Sequence, residues 1–161
     1  MDEPSTQPSL REVMATFPTG VTIVAACDES GQPYGMTVNA FTSVSLDPPL
    51  ILVCIGHSST WHDRLVSASS FAVSILAADQ GDTALRFASE PSAGRFEAVE
   101  WSRSRAGDPV LAGCAGWLDC SVVEVLRGGD HSILLGEVVE TSLSERMPLV
   151  FLGGDYRGVS E

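Results

Sequence analysis

The chain carries, at residues 35–44, the segment Gly35-Met36-Thr37-Val38-Asn39-Ala40-Phe41-Thr42-Ser43-Val44. A β-strand pattern is interrupted there by Asn39-Ala40, and small polar residues recur on both sides of the interruption. Small residues let a flat ring approach the backbone, and hydroxyls and amides can donate hydrogen bonds to ring carbonyls and nitrogens. The residues alone leave two interpretations open: a kinked strand with a solvated face, or an edge that binds a planar ring.

The runs around this segment are short and rich in β-branched residues, as is typical of strands. Strands are predicted at 21–27, 34–38, 41–46, 50–55, 71–76, 117–126, 132–141 and 148–152. The sequence Arg127-Gly128-Gly129-Asp130 predicts a hairpin between the two longest of them. Short helices are predicted at 10–17, 60–68 and 80–87, the second opened by a capping box of Thr60 and Asp63.

This order of elements predicts a mainly β, antiparallel fold: a closed or nearly closed barrel with a few short flanking helices. A doubly wound parallel sheet is disfavoured because strands and helices do not alternate throughout. The 161 residues, 44% of them hydrophobic, fit one domain over residues 10–161 that follows a loose polar tail over residues 1–9.

The charge pattern excludes several kinds of chemistry. A formal net charge of −12 argues against nucleic acid and anionic membranes as partners. All nine basic residues are Arg, so a Schiff-base lysine and a Walker A loop are excluded. No apolar run reaches the roughly 18 residues of a membrane span, and no secretion signal is recognisable, so we expect a cytoplasmic location.

Cysteine and histidine give little support for a metal site. None of Cys27, Cys54, Cys114 and Cys120 forms a CxxC pair, and we expect buried, reduced thiols. Three histidines make a histidine-rich metal site improbable. His131, beside the predicted hairpin turn, is interpreted either as a surface residue or as a ring that packs on a nicotinamide.

The segment Gly56-His57-Ser58-Ser59-Thr60 follows a buried strand and opens a predicted helix. Hydroxyls and free amides at a helix start can bind a phosphate without Lys. Simple capping of the helix by Thr60 is the alternative. The fingerprint G-x-G-x-x-G is absent, so any nicotinamide cofactor would not be held by a Rossmann domain.

Taken in order, the motifs resemble the flavin reductase-like family, whose members have the FMN-binding split-barrel fold. The resemblance runs from about Leu10 to Tyr156. It rests on the ordered segments 17–24, 35–49 and 71–76, followed by Gln80, Phe87, Gly129-Asp130-His131, Gly136-Glu137-Val138, Pro148-Leu149 and Tyr156.

The resemblance implies a homodimer that reduces FAD or FMN with NADH or NADPH and passes the reduced flavin to a separate oxygenase. NADH is favoured over NADPH because a chain without Lys needs an Arg to hold the 2′-phosphate. A flavin-binding protein without turnover, and a split-barrel oxidase acting on an organic substrate, are the alternatives. The family often has Asn or Lys where this chain has Gly56-His57, so FAD and FMN both stay open.

The resemblance also implies the site residues. The flavin ring would be lined by Thr37, Val38, Asn39, Ala40, Thr42, Ser43 and Val44. Phosphate or ribityl contacts would come from Ser58, Ser59 and Thr60, and ring or adenine-side contacts from Arg86 and Phe87. His131 would meet the nicotinamide, and Thr19, Cys54 and Tyr156 would complete the cofactor-binding set. Hydride transfer between two stacked rings requires no protein acid or base, and no catalytic dyad is expected.

Overall fold

A computed structural model describes residues 7–89 and 94–159. The helices are α1 (Leu10–Met14), α2 (His62–Ser67) and α3 (Gly81–Ala88), with a 3-10 turn at Phe96–Ala98. The strands are β1 (Thr19–Gly20), β2 (Thr22–Cys27), β3 (Pro33–Val38), β4 (Phe41–Leu46), β5 (Pro49–Gly56), β6 (Ser70–Ile75), β7 (Trp101–Arg103), β8 (Pro109–Leu111), β9 (Gly116–Gly128), β10 (His131–Leu143), β11 (Leu149–Leu152) and β12 (Asp155–Gly158).

Seven strands form one antiparallel sheet in the order β3-β2-β6-β9-β10-β5-β4. Its two edge strands, β3 and β4, are joined by Asn39-Ala40 alone. So short a link requires the sheet to curve until its edges come close, although no ladder connects β3 to β4 in the described part of the chain. The predicted mainly β, barrel-like antiparallel fold is confirmed.

The long β9–β10 hairpin was predicted from its turn residues and is confirmed. Gly129 sits in its turn with φ +67°, a conformation that favours glycine. The hairpin bends at a register shift next to Gly136. A Cβ atom on Gly136 would lie 2.9 Å from both Cys120 Cβ and Phe71 Cζ, so glycine is needed there for the strand to pack on the core.

Two smaller sheets, β1-β11-β12 and β7-β8, complete the fold. Their strands have two to four residues, and sequence patterning predicted only β11. The first core cluster fills the inside of the curved sheet around Val24, Val53 and Phe71. The second core cluster lies under α3 and β11, around Ile23, Phe87 and Leu149.

Helices α1 and α2 are shorter than predicted, whereas α3 has the predicted length and begins one residue later. Ser9 caps α1 in a reciprocal capping box with Glu12, so the last residue of the expected tail is ordered against the helix. Residues 1–6 of that tail lie outside the described residues. The predicted capping box of Thr60 and Asp63 is wrong: the N-cap of α2 is Trp61, whose own side chain makes no capping hydrogen bond. The Ser59 hydroxyl accepts the Trp61 amide at 3.2 Å, which keeps the chain in a turn before the helix begins.

Candidate active site

Two adjoining cavities lie at the predicted site. One, of about 540 Å³, lies between α1 and the β11–β12 turn. The other, of about 190 Å³, lies between β3, the end of α3 and Tyr156. Asn39 and Phe151 line both cavities, and the two together are called here the main cleft.

The main cleft brings together predicted residues that are far apart in sequence. Thr19 and Asn39 line its larger part, and Thr37, Asn39 and Tyr156 line the smaller part. The Thr37 hydroxyl donates to the Ala84 carbonyl at 2.6 Å, which fixes β3 against α3. The pairing of Thr19 with Phe151 across β1 and β11 closes the far wall.

The walls of the main cleft are largely apolar. Phe151 and Tyr156 pack with ring centroids 5.4 Å apart, and Met14 and Phe17 cover the outer wall. The Thr19 hydroxyl is buried and has no hydrogen-bond partner within the described residues. A buried hydroxyl without a partner costs free energy, so a ligand with an acceptor here would be stabilised by it. Apolar walls with a few polar atoms suit a flat heteroaromatic ring.

The remaining residues predicted around the ring do not line this cleft. Val38 is buried in the first core cluster. Ala40 is exposed, and its carbonyl accepts the Cys54 amide at 2.9 Å. The other three, Thr42, Ser43 and Val44, are exposed on the edge strand β4, and a register shift leaves Val44 without a cross-strand partner.

The loop of Ser58, Ser59 and Thr60 lies on the other side of β3's end. The Ser59 hydroxyl donates to Met36 Sδ at 3.3 Å. The loop therefore contacts the residue that precedes Thr37 on β3. Ser58 and Thr60 are exposed. The predicted ring segment and the predicted phosphate loop are therefore neighbours.

All three histidines gather beside this loop, which the sequence did not predict. Ser132 Oγ lies 2.8 Å from His62 Nε2 and 3.3 Å from His57 Nε2. The rings of His57 and His62 meet edge to face at 4.8 Å. His131 pairs with Gly56 across β10 and β5, and its Nδ1 lies 2.7 Å from Asp130 Oδ1. The hydrogen bond from His131 lowers the pKa of Asp130.

The described residues contain no group of three or more His, Cys, Asp or Glu side chains that could hold a metal ion. The cysteines are free thiols, two buried and two half-buried. Burial raises the pKa of each thiol, including that of Cys54, and raises that of Cys120 to about 12. Thiols with raised pKa values are poor nucleophiles at neutral pH, in agreement with a structural role.

Phe87, predicted to contact the flavin ring or the adenine side, lies in the second core cluster. Its side chain is fully buried and packs edge to face on Phe96 at 4.9 Å. Arg86 is exposed in the last turn of α3. The neighbouring Ala88 lines the cleft instead. Ala84 and Phe87, three residues apart on one helix face, carry the spacing that indicates a core-facing stripe.

The chain belongs to the flavin reductase family. The family model described as "Flavin reductase like domain" matches residues 14–160. The chain is 41% identical over 160 residues to the NADH-dependent FAD reductase of Streptomyces globisporus, covering 96% of this chain and 87% of that protein. A solved structure of an S. globisporus NADH:FAD oxidoreductase with NAD and FAD fragments has a TM-score of 0.89 at 40% identity, covering 99% of this chain and 96% of that one.

Two further relatives are reductase parts of larger systems. The chain is 41% identical over 148 residues to the reductase subunit of stachydrine N-demethylase from Rhizobium meliloti, covering 92% of this chain. It is 42% identical over 147 residues to the reductase component of a flavin-dependent trigonelline monooxygenase from Acinetobacter baylyi, covering 91% of this chain. The chain spans only 64% and 47% of the lengths of these two relatives. No helix in the described ranges is long and apolar enough to cross a membrane.

Proposed function

We propose that this protein is an NADH-dependent flavin reductase that supplies reduced FAD or FMN to a separate oxygenase. The observation that carries the proposal is the main cleft, in which four predicted contact residues from distant parts of the chain meet: Thr19, Thr37, Asn39 and Tyr156. The family membership and the names of the relatives support the same activity.

The lining of the main cleft fits a flavin. Phe151 and Tyr156 provide flat apolar walls, and the Thr19 hydroxyl, which has no partner among the described residues, is proposed to donate to a polar ring atom. Exposed Asn39 adds an amide at the junction of the two cavities. The main-chain amides around Ser43 and Val44 lie on the edge strand β4, outside the cleft lining, and they stay predicted donors to the ring side that gains negative charge.

The chain's part in the reaction is positioning. A bound flavin and nicotinamide supply the redox chemistry themselves, since a hydride passes directly from nicotinamide C4 to flavin N5. Reacting atoms must be held about 3–3.5 Å apart for this. The titratable side chains that line the cleft are Arg11 and Tyr156, and burial raises the pKa of Tyr156, which therefore stays neutral. Neither is suited to be a general base at neutral pH.

The nicotinamide is proposed to meet His131. Its side chain is exposed at the start of β10, beside Gly56 and the Ser58–Thr60 loop. The bond to Asp130 holds the imidazole in one orientation, which prepares a flat surface for ring packing. NADH is proposed in preference to NADPH because the chain has no Lys to hold the 2′-phosphate of NADPH.

A homodimer is also proposed. Large apolar side chains are highly exposed on α1, in the link after it, on β4 and on β10: Leu10 at 79%, Phe17 at 63%, Leu46 at 93% and Leu143 at 90%. Exposed side chains of this size lose contact with water when a second copy covers them, which favours association. Sedimentation should show a dimer at micromolar concentration, and a monomer would contradict this part of the proposal. A cytoplasmic location stays a prediction.

Steady-state kinetics test the activity. NADH oxidation should require flavin, added or bound, and should saturate with FAD or FMN. Thr19→Val removes the partnerless hydroxyl while keeping the shape of the side chain, and should weaken flavin binding several-fold without loss of stability in the flavin-free protein. Thr16→Val, an exposed hydroxyl in the same connection, is the matched control. NADH oxidation that proceeds equally well without flavin would refute the proposed function.

A further inference from the structure

Ser132, the second residue of β10, is hydrogen-bonded to two histidine rings at once. Its Oγ lies 2.8 Å from His62 Nε2 and 3.3 Å from His57 Nε2. The serine is 9% exposed, and the side chain of His62 is 14% exposed. Hydrogen bonds that are shielded from water in this way are stronger than exposed ones. We call Ser132, His57 and His62 together the histidine–serine clamp.

The direction of the hydrogen bonds in the clamp follows from the chemistry of each group. His62 Nδ1 lies 2.8 Å from Asp63 Oδ1, and because a carboxylate can only accept, this nitrogen carries the ring proton. In neutral His62 the Nε2 atom therefore accepts, and the Ser132 hydroxyl donates its single proton to it. The Ser132 oxygen is then left to accept from His57 Nε2. One hydroxyl thus joins the loop after β5 to the start of α2.

The clamp holds the main chain on both sides of His131. Before His131, the Asp130 carbonyl accepts the His57 amide at 2.9 Å. After His131, the Ser132 side chain is bonded to the ring of the same His57. Within the sheet, His131 pairs with Gly56, the residue that precedes His57. Because both neighbours and the cross-strand partner of His131 are held by one short segment, its backbone has little freedom to shift.

The ring of His131 lies on the other face of β10 from the clamp. Ser132 pairs with Ile55, whose side chain is fully buried, so Ser132 points to the core side of the sheet. Successive residues of a strand point to opposite faces, and the His131 side chain is accordingly 46% exposed. The bond to Asp130 orients the His131 ring, whereas the clamp sets the position of the backbone that carries it.

We propose that Ser132, with His57 and His62, is a positioning residue that holds His131 where the nicotinamide of NADH packs on it. The inference rests on the proposed function, in which His131 meets the nicotinamide. Hydride transfer requires the reacting atoms to lie about 3–3.5 Å apart, so a small displacement of the ring that supports the nicotinamide is costly. Among the described residues that line the main cleft, none belongs to the clamp, so the clamp acts on NADH and not on the flavin.

Ser132→Ala tests the proposal in the intact protein, alone and combined with His131→Ala. Alone, it should raise the KM for NADH about three- to tenfold, because two hydrogen bonds are lost, and should leave the Kd for flavin within twofold of wild type. Added to His131→Ala, it should change the KM for NADH less than twofold, because the clamp acts through His131. Ser132→Thr keeps the hydroxyl and should stay within twofold of wild type in both constants.

Ser74→Ala is the matched control, because Ser74 is a fully buried serine of the same sheet whose hydroxyl accepts the Leu111 amide at 3.0 Å. It lies on β6, which β9 separates from β10. Both alanine variants should lower the free energy of unfolding in urea, but only Ser132→Ala should change the KM for NADH. If Ser132→Ala does not fold, His62→Phe gives the same test, since it keeps a ring at this position and removes the nitrogens.

Three results would overturn the proposal. The first is a KM for NADH that stays within twofold of wild type in Ser132→Ala, or that a folded Ser132→Thr does not restore. The second is a rise in the Kd for flavin as large as the rise in the KM for NADH. The third is an equal rise in that KM with and without His131. A wild-type protein that fails to reduce any flavin with NADH would instead refute the proposed function, so the two failures are distinct.

Discussion

Replacing Asp108 with Asn should make the protein more stable, and the gain should grow as the pH rises. Asp108 is 4% exposed at the start of β8, and Asp119 on β9 is fully buried near it. Neither carboxyl oxygen of Asp119 has a hydrogen-bond partner among the described residues. Burial, and to a smaller degree the charge of Asp119, raises the pKa of Asp108 to about 6, although a hydrogen bond from Ser70 opposes the rise.

The size of the effect follows from linkage. A carboxyl group whose folded-state pKa is raised from 3.8 to about 6 makes the fold most stable below pH 3.8, and this stability is lost as the pH rises through 6. The full difference is about 3 kcal/mol, since each pH unit between the two values contributes about 1.4 kcal/mol. Roughly half of it, about 1.5 kcal/mol, falls between pH 5 and pH 8. Asn has the same shape and cannot ionise, so the variant should escape this loss.

Urea unfolding at pH 5 and pH 8 measures the free energy of unfolding of both proteins. The advantage of Asp108→Asn over wild type should be larger at pH 8 by about 1.5 kcal/mol. Glu29→Gln removes one exposed carboxylate and should follow the wild-type pH dependence, because other titrating groups are common to all three proteins. An Asp108→Asn advantage that stays constant or shrinks between pH 5 and pH 8 would refute the reasoning.

Three further outcomes are expected. Gly136→Ala should lower the free energy of unfolding by about 1–3 kcal/mol in urea melts, because the new Cβ overlaps Phe71. Gly20→Ala should be tolerated, because its new Cβ meets no atom within 4 Å. Equal costs for the two variants would contradict the packing argument. His131→Ala should raise the KM for NADH more than that for flavin, and unchanged KM values would remove its assigned role. The Cys120 thiol, with its pKa raised to about 12, should react with a disulfide reagent at pH 8 only after unfolding; rapid labelling of the native protein would contradict its burial.

Sequence patterns predicted the parts of the fold that bury a long regular face. The β9–β10 hairpin and the central strands carry enough β-branched residues and turn chemistry to be recognised locally. The strands β1, β7, β8 and β12 were missed because they have only two to four residues. For β1 the partner is also distant, since Thr19 pairs with Phe151. A pattern of two residues cannot indicate a strand whose partner lies more than 100 residues away.

Site residues that lie on one continuous segment were predictable from the sequence. Site residues that reach the cleft only through tertiary packing were not. Thr37 and Asn39 lie on a single interrupted strand, and the sequence indicated both. Phe151 and Ala88 reach the cleft only through the packing of β11 and α3, so no local signal marked them. Phe87 was assigned to the ligand by resemblance, but its helical spacing with Ala84 places it in the core.

Anaerobic titration of the protein and flavin with NADH tests the central claim most directly. With FAD or FMN bound, stoichiometric NADH should bleach the flavin absorbance near 450 nm, since two electrons pass from one nicotinamide to one flavin. NADPH at the same concentration should bleach it more slowly, because the chain has no Lys to hold the 2′-phosphate. A protein that binds flavin yet leaves it oxidised under excess NADH and NADPH would be a flavin carrier, and the assignment as a reductase would be wrong.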